Sequence, residues 1–322
     1  MSNDAPLPIG GYFELELPRP KQWLHDHSVL LNSGRACLEY LLRAVNPSRI
    51  YLPKFTCDAL LEPVQRTGIN YLFYEITQEL EINGFGSLSG NELLLYTNYF
   101  GLKNKYCHEL AERYGSQLVL DYSQGYFETA PLNASVFYSP RKFFGVPDGG
   151  CLYTKFRLPD SLERDVSMDR YSHLIGRYDL GAESSYDSFK ANDESLSAAG
   201  LKKMSVSTER LLASIEYDRV RDLRQDNFAT LHRNLEQANL LKIDGDSASG
   251  PMVYPFLCEQ PRLRESLIKN KIFVATYWPN VFEWCEEGDI EWRLAKNLIP
   301  LPVDQRYTIA DMNRIIEVIL DG

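Results

Sequence analysis

No two of the six cysteines, Cys37, Cys57, Cys107, Cys151, Cys258 and Cys285, stand as a CxxC pair. That spacing argues against a zinc knuckle or a thioredoxin-type redox site. Buried, unpaired thiols of a reducing compartment are the expectation. No apolar run approaches the ~20 residues a helix needs to cross a bilayer. The opening MSNDAPLPIGGYFELEL carries Asp4 early and lacks the basic-then-apolar order of a secretory leader. Positive charge is scarce: Lys and Arg number 34 against 44 Asp and Glu, a formal net charge of -10. Nucleic-acid binding depends on a basic footprint and is not expected, and nothing points to a membrane partner. An anionic small substrate would need a local pocket of arginine, lysine and backbone N–H groups. Low-complexity tracts and internal repeats are also absent. These absences leave a globular, cytoplasmic protein as the expectation.

The 322 residues suffice for one large or two modest domains with a sizeable core. Short apolar runs alternate with helical spacing. RIYL (Arg49–Leu52), YLFY (Tyr71–Tyr74), LLLY (Leu93–Tyr96), QLVLD (Gln117–Asp121), ASVFY (Ala134–Tyr138) and CLYT (Cys151–Thr154) read as strands. Helices are expected from Gly34 to Val45, capped by Asn32 or Ser33, over Thr56 to Arg66, and over His108 to Tyr114. Such alternation predicts an α/β layered domain with a largely parallel sheet. From Arg157 to Met204 apolar periodicity is weak, and long loops with short helices are expected. One long helix is predicted from Thr208 to about Ala238, then a linker over Gly245 to Gly250. Strand VYPFL, helix RLRESLIKN, strand KIFVATYW and helix DMNRIIEVIL follow. The division is a large α/β domain over residues 1–240 and a small α+β domain over 241–322.

Three features converge on one chemistry. Asp121 ends an apolar strand, where sites of open α/β sheets lie. Lys142 follows just after the next strand, in SPRKFFGVPDGG (Ser139–Gly150). Gly34 and Arg35 open the first helix, whose free N–H groups and dipole suit a phosphate. A loop lysine, a strand-end carboxylate and a phosphate-ready helix start match the needs of pyridoxal phosphate. Elsewhere, HDH (His25–His27) reads as a solvated segment rather than a metal site, and Tyr277–Trp278 as packing.

The chain resembles the DegT/DnrJ/StrS sugar aminotransferases, pyridoxal-phosphate enzymes of fold type I, from about Leu31 to Thr154 and from about Met252 to the end. NSGRACLEYLL is similar to the family's phosphate-helix motif, YLPKFTCDAL to its P-x-aromatic-T segment, and TNYFG to the segment before the next helix. DYSQ resembles the family's D-x-x-Q, SPRKFFGVPDGG its lysine motif, and RLAKNLIPLPVDQRYTIADMNRII its closing segment. The resemblance implies an α/β/α large domain with a mainly parallel sheet, a small C-terminal domain and a homodimer. It implies that Lys142 holds pyridoxal 5'-phosphate as a Schiff base and then acts as general base. Asp121 would face the ring nitrogen and Gln124 would lie near the ring hydroxyl. Gly34, Arg35, Ala36 and Ser139 are the further candidate cofactor-binding residues. The activity implied is transfer of an amino group, with glutamate as donor, to a nucleotide-linked keto sugar in amino-sugar and surface-polysaccharide biosynthesis.

The departures from the pattern are specific. Arg35 stands where the family usually has Thr, Phe137 where it has a phosphate-binding Ser, Met204 and Val206 where Asn-x-Arg is usual, and Cys57 where an aromatic often stacks on the ring. Three of these remove phosphate contacts, and Arg35 is expected to offset them as chief partner of the cofactor phosphate. The loss of contacts also motivates an alternative, a pyridoxal-phosphate fold with a binding or regulatory role and no transaminase activity. Sugar dehydration is a third reading, although the related dehydratases replace the lysine with histidine and this chain keeps Lys142.

Overall fold

The computed structural model describes residues 9–19, 21–159, 161–245 and 248–320. Strand β1 is Val29–Leu31, helix α1 Gly34–Val45, β2 Arg49–Pro53, α2 Leu61–Thr67, β3 Asn70–Tyr74 and β4 Glu92–Thr97. Then come α3 Asn104–Tyr114, β5 Leu118–Asp121, β6 Ser135–Tyr138 and β7 Gly150–Tyr153. Four helices follow, α4 Ser172–Asp179, α5 Tyr186–Ala199, α6 Val206–Leu212 and α7 Tyr217–Leu235. The chain closes with β8 Val253–Leu257, α8 Leu263–Lys269, α9 Val281–Trp284, α10 Ile290–Asn297, β9 Leu298–Pro302 and α11 Ile309–Leu320.

The large sheet has seven strands in the order β1-β7-β6-β5-β4-β2-β3. Strands β3, β2, β4, β5 and β6 run parallel; β7 runs antiparallel to β6, and the edge strand β1, antiparallel to β7, points the same way as the rest. Successive side chains of a strand point to opposite faces, and both faces here are apolar. Leu93 and Leu95 of β4, Val119 of β5 and Phe137 of β6 join the core against α1 and α2. Leu94, Tyr96, Leu118, Leu120, Val136 and Tyr138 join the core on the other face. The α/β layered architecture read from the sequence is the one observed, with all six expected strands present.

Local differences have local causes. The long helix expected from Thr208 is two, α6 and α7, broken around Ala213–Glu216, where the Tyr217 hydroxyl donates to the Leu212 carbonyl. KIFVATYW is not a strand; β8 pairs instead with β9, LIPLP, antiparallel, with Pro255 opposite Pro300. Proline cannot donate to a ladder and suits edge strands, so its presence disguised β9 as a loop. Residues 157–204 contain the 14-residue α5, which buries only Asn192 and Leu196 and so has no apolar stripe to announce it. The linker expected over Gly245–Gly250 lies partly outside the described residues. A separate core joins β8, β9, α8 and α11, and α7 supplies Phe228, Leu231 and Leu235 to it.

Candidate active site

The carboxyl edge of the large sheet is assembled by register. Thr97 of β4 lies opposite Asp121 of β5, and Asp121 opposite Phe137 of β6. Lys142 follows β6 by one short 3-10 turn, Pro140–Lys142, so the strand end carries it to the same edge. Two glycines make that placement possible. An added Cβ on Gly149, whose φ is +129, would stand 2.7 Å from the Pro140 ring. One on Gly150 would stand 2.3 Å from the Ser33 carbonyl oxygen. The DGG of the lysine motif therefore lets β7 pass beneath both the lysine turn and the start of α1. Asp148, fully buried, accepts from the Ser205 N–H at 3.4 Å, which ties the turn to the start of α6.

Asp121 is buried, and burial pushes its carboxyl above the usual range, against the opposing pull of Lys142 and of hydrogen bonds from Ser123. Its Oδ1 accepts the Ser123 N–H at 2.7 Å, and the Lys142 amine donates to Ser123 Oγ at 3.0 Å. Ser123 thus stands between acid and amine. Gln124 is fully buried and uses Oε1 to accept the Phe100 N–H at 2.7 Å, which leaves its NH2 end for a ligand. Gly101, at φ +78, permits this: its Cβ would lie 2.9 Å from the Gln124 carbonyl. The Tyr277 ring stacks on Phe100, and Trp278 meets Phe55 edge-on at 5.0 Å, so this pair packs as expected.

Helix α1 begins where predicted, with Ser33 as its cap accepting the Ala36 N–H at 3.0 Å. The Ala36 amide is thereby committed to the cap. Gly34 lies against the Phe137 ring and the Ser139 Cβ, so the helix start and the residues before the lysine turn are in contact. Arg35 does not stand free. Its Nη2 pairs with Asp193 Oδ2 at 2.8 Å, and its Nε lies 3.2 Å from Glu62 Oε2. Arg141, next to Lys142, reaches the other oxygen of the same Asp193 at 3.0 Å. Burial lowers the Arg141 pKa, Asp193 opposes this, and Arg35 adds to it.

Met204 is buried in the core, and Val206 is exposed. Ser205 and Ser207 are engaged with the Ser167 hydroxyl at 2.8 and 2.7 Å. Cys57 is half-buried; burial raises its thiol pKa while the nearby Lys142 lowers it. The expectation that HDH is solvated holds for His27 alone. His25 is buried between the Tyr153 hydroxyl and the Tyr126 carbonyl, each at 2.9 Å. No group of three or more His, Cys, Asp and Glu residues suited to a metal occurs among the described residues. A cavity of about 750 Å³ lies toward the amino ends of β5 and β6, beside His25, Glu128 and Tyr153, and is lined by none of the residues placed around Lys142.

Sequence reasoning missed Ser123, Arg141 and Asp193. The first two lay inside quoted motifs, DYSQ and SPRKFF, where their neighbours drew attention. Asp193 carried no signal, because its helix is polar on nearly every side.

Comparison with solved structures places this architecture. DesV of S. venezuelae, in complex with a ketimine intermediate, superposes with a TM-score of 0.62 at 17% identity, covering 91% of this chain and 84% of its own. The fold is that of the sugar aminotransferases. A DegT DnrJ EryC1 StrS aminotransferase from Brucella abortus gives 0.58 at 16% identity over 91% and 85% of the two chains. DesI, solved in the presence of its TDP-sugar product, gives 0.61 at 14% over 91% and 79%. No protein-family model and no curated protein matches the sequence. Among the described residues no helix is long and apolar enough to cross a membrane.

Proposed function

We propose that the chain is a pyridoxal-phosphate-dependent aminotransferase acting on a nucleotide-linked keto sugar, with Lys142 as the cofactor-bearing residue. The observation that carries this reading is the meeting of Lys142, Asp121 and Gln124 at the carboxyl edge of the sheet, beside the start of α1. The donor set fits the cofactor. An amine stands beside a buried carboxylate whose nearby cation is Lys142, and Arg35 Nε is buried without an aligned acceptor. Pyridoxal phosphate, when bound, supplies an electron sink that allows an amine to be exchanged for a carbonyl.

The chain's own residues would do the rest. Asp121, ionised opposite a protonated ring nitrogen, would keep that proton in place. Ser123 holds the Lys142 amine at 3.0 Å and orients it. With the cofactor bound, Lys142 Nζ would be the base that holds and moves a proton at the reacting centre. Gln124 would turn its NH2 toward the ring hydroxyl. The likeness to sugar aminotransferases, DesI with a TDP-sugar product among them, supports a nucleotide-linked sugar as acceptor. Glutamate as donor, a homodimeric assembly, a cytoplasmic location and a place in surface-glycan biosynthesis belong to the same reading.

One observation favours a second reading, a binding protein without turnover: Arg35 already pairs with Glu62 and Asp193. Borohydride reduction of protein mixed with pyridoxal phosphate, followed by peptide mass spectrometry, tests the first step. The adduct is expected on Lys142 and is lost in Lys142→Ala. Labelling at another lysine, or none, overturns the cofactor assignment. Adduct formation without amino transfer from any donor to any nucleotide keto sugar moves the protein to the second reading.

A further inference from the structure

Asp193 is the junction of two arginines from different elements. Arg35 comes from the first turn of α1 and Arg141 from the turn that carries Lys142. Each takes one carboxylate oxygen, at 2.8 and 3.0 Å. The arginine side chains are 14% exposed and the aspartate 46%, so the acid enters the pair from the solvent side. We propose that Arg35 and Arg141 form an anion-binding pair for a phosphate-bearing ligand of the lysine site, and that Asp193 is a built-in anion which such a ligand displaces. The proposal rests on the reading of Lys142 as the cofactor-bearing residue, and to Arg35, the phosphate partner expected from the sequence, it adds Arg141 and a displaceable Asp193.

Charge and donor count favour exchange. Two guanidiniums face Asp193 and Glu62, each carboxylate bringing a single negative charge. A phosphate monoester brings nearly two and a third acceptor oxygen. Each guanidinium has five N–H donors in a fixed fork that matches phosphate as well as carboxylate. Arg35 Nε, though 3.2 Å from Glu62, has no aligned acceptor and is buried. A buried donor left unmade is costly. Asp193 is held ionised: burial works to raise its pKa, but Arg35 and Arg141 together outweigh it. It is therefore a competent competitor rather than a neutral bystander.

Placement agrees. Arg141 immediately precedes Lys142, and Gly34, beside Arg35, touches Phe137 and Ser139 just before that turn. Cys57 links the two places: its thiol feels the charge of Lys142, and it also interacts with the Arg35 guanidinium. Displacement need move only the Asp193 side chain, which is half-exposed, while α5 stays tied to the lysine loop through Asn192 Nδ2 and the Pro147 carbonyl at 3.0 Å. Phe137 stands where the related pattern has a hydroxyl, so the charged side-chain donors beside this helix start are the two arginines, with Ser139 next to Gly34.

The test is a set of binding titrations on the full chain, read by absorbance and by the fraction of Lys142 reduced by borohydride. The parent, Asp193→Asn and Arg141→Gln are each titrated with pyridoxal phosphate, with pyridoxal, which lacks the phosphate, and with thymidine diphosphate by calorimetry. Asp193→Asn is expected to tighten a phosphate-bearing ligand about tenfold, the equivalent of one modest charge contact, and to leave pyridoxal unchanged. Arg141→Gln is expected to weaken the same ligand about tenfold or more. Tightening of pyridoxal phosphate identifies the cofactor as the source of the phosphate, and tightening of thymidine diphosphate alone identifies the nucleotide. Unchanged or weakened binding of both by Asp193→Asn overturns the proposal. Should Arg141→Gln not fold, Asp193→Asn decides alone, since its side chain is half-exposed. Absence of label on Lys142 from either aldehyde, in all three proteins, is instead failure of the cofactor reading, and the thymidine diphosphate titration still tests the arginine pair.

Discussion

Gly150 of β7 passes directly beneath Ser33, the cap of α1, so closely that a methyl group on it would stand 2.3 Å from the Ser33 oxygen and 2.7 Å from Cys37 Sγ. Strand β7 and helix α1 cannot separate without opening the contact between the helix start and the lysine turn. Gly150→Ala is therefore expected to destabilise the fold by about 3 kcal/mol, the upper end for overpacking. It should also loosen Lys142 toward borohydride-trapped adducts, because Gly34, Phe137 and Ser139 move with it. Urea unfolding and adduct titration check the two effects. Parental stability would mean that the backbone yields where the packing says it does not.

Ser123 is placed between Asp121 and Lys142, through its N–H to one and its hydroxyl to the other. Ser123→Ala keeps the N–H and removes the hydroxyl, which accepts from the lysine amine and also bonds the Asp121 carboxylate. A loss of about 1 kcal/mol of stability is expected, with slower adduct formation at Lys142 and little change at saturation. Asp121→Asn should behave differently, binding the cofactor yet losing most of the rate with an amino donor, since a neutral amide cannot hold the ring nitrogen protonated. Stopped-flow traces separate them. Identical traces for Ser123→Ala and the parent would remove Ser123 from the positioning of the amine.

Much of this arrangement was legible in the sequence because it depends on local chemistry. Largely apolar runs of four or five residues revealed β2 through β7, and Asp121 at the end of one marked the sheet edge. Ser33 and Gly34 marked the start of α1, and the glycines after Lys142 signalled a turn that only glycine can make. What was hidden depends on partners distant in sequence. Asp193 finds Arg35 across 158 residues, and no periodicity in α5 foretells it. Strand β9 was masked by two prolines that only a two-stranded edge tolerates. His25 looked solvated in HDH, because the tyrosines that enclose it, Tyr126, Tyr138 and Tyr153, come from more than 100 residues away.

Segment 166–189 shows an assembly signal. Val166 and Met168 are each 75% exposed, Tyr178 95% and Leu180 69%. Several large apolar side chains left exposed along one segment are the kind of surface that a partner covers. A homodimer is expected in solution, and Tyr178→Glu with Leu180→Glu is expected to shift it toward monomer without unfolding. Light scattering at micromolar concentration reads both. A parent protein that is monomeric with cofactor bound would exclude the assembly.

Two buried groups near the large cavity titrate in opposite senses. Burial raises Glu128 to about 7, against the Ser249 N–H that its carboxylate accepts, and burial lowers His25 to about 4. Between about pH 4.5 and 7 the folded Glu128 keeps a proton that the unfolded chain has lost, so its contribution to stability falls as pH rises. Between about pH 4 and 6.5 the unfolded His25 carries a proton that the folded one refuses, so its contribution rises with pH. Over the shared window the two slopes oppose each other and largely cancel. Glu128→Gln removes one and keeps an oxygen for the Ser249 N–H. The variant should match the parent below pH 4.5, gain on it through the window, and be more stable by on the order of 2 kcal/mol above pH 7. Urea midpoints of both proteins from pH 4 to 8 measure the difference. A difference independent of pH would show that Glu128 titrates alike in the folded and unfolded chain, and that burial does not govern it.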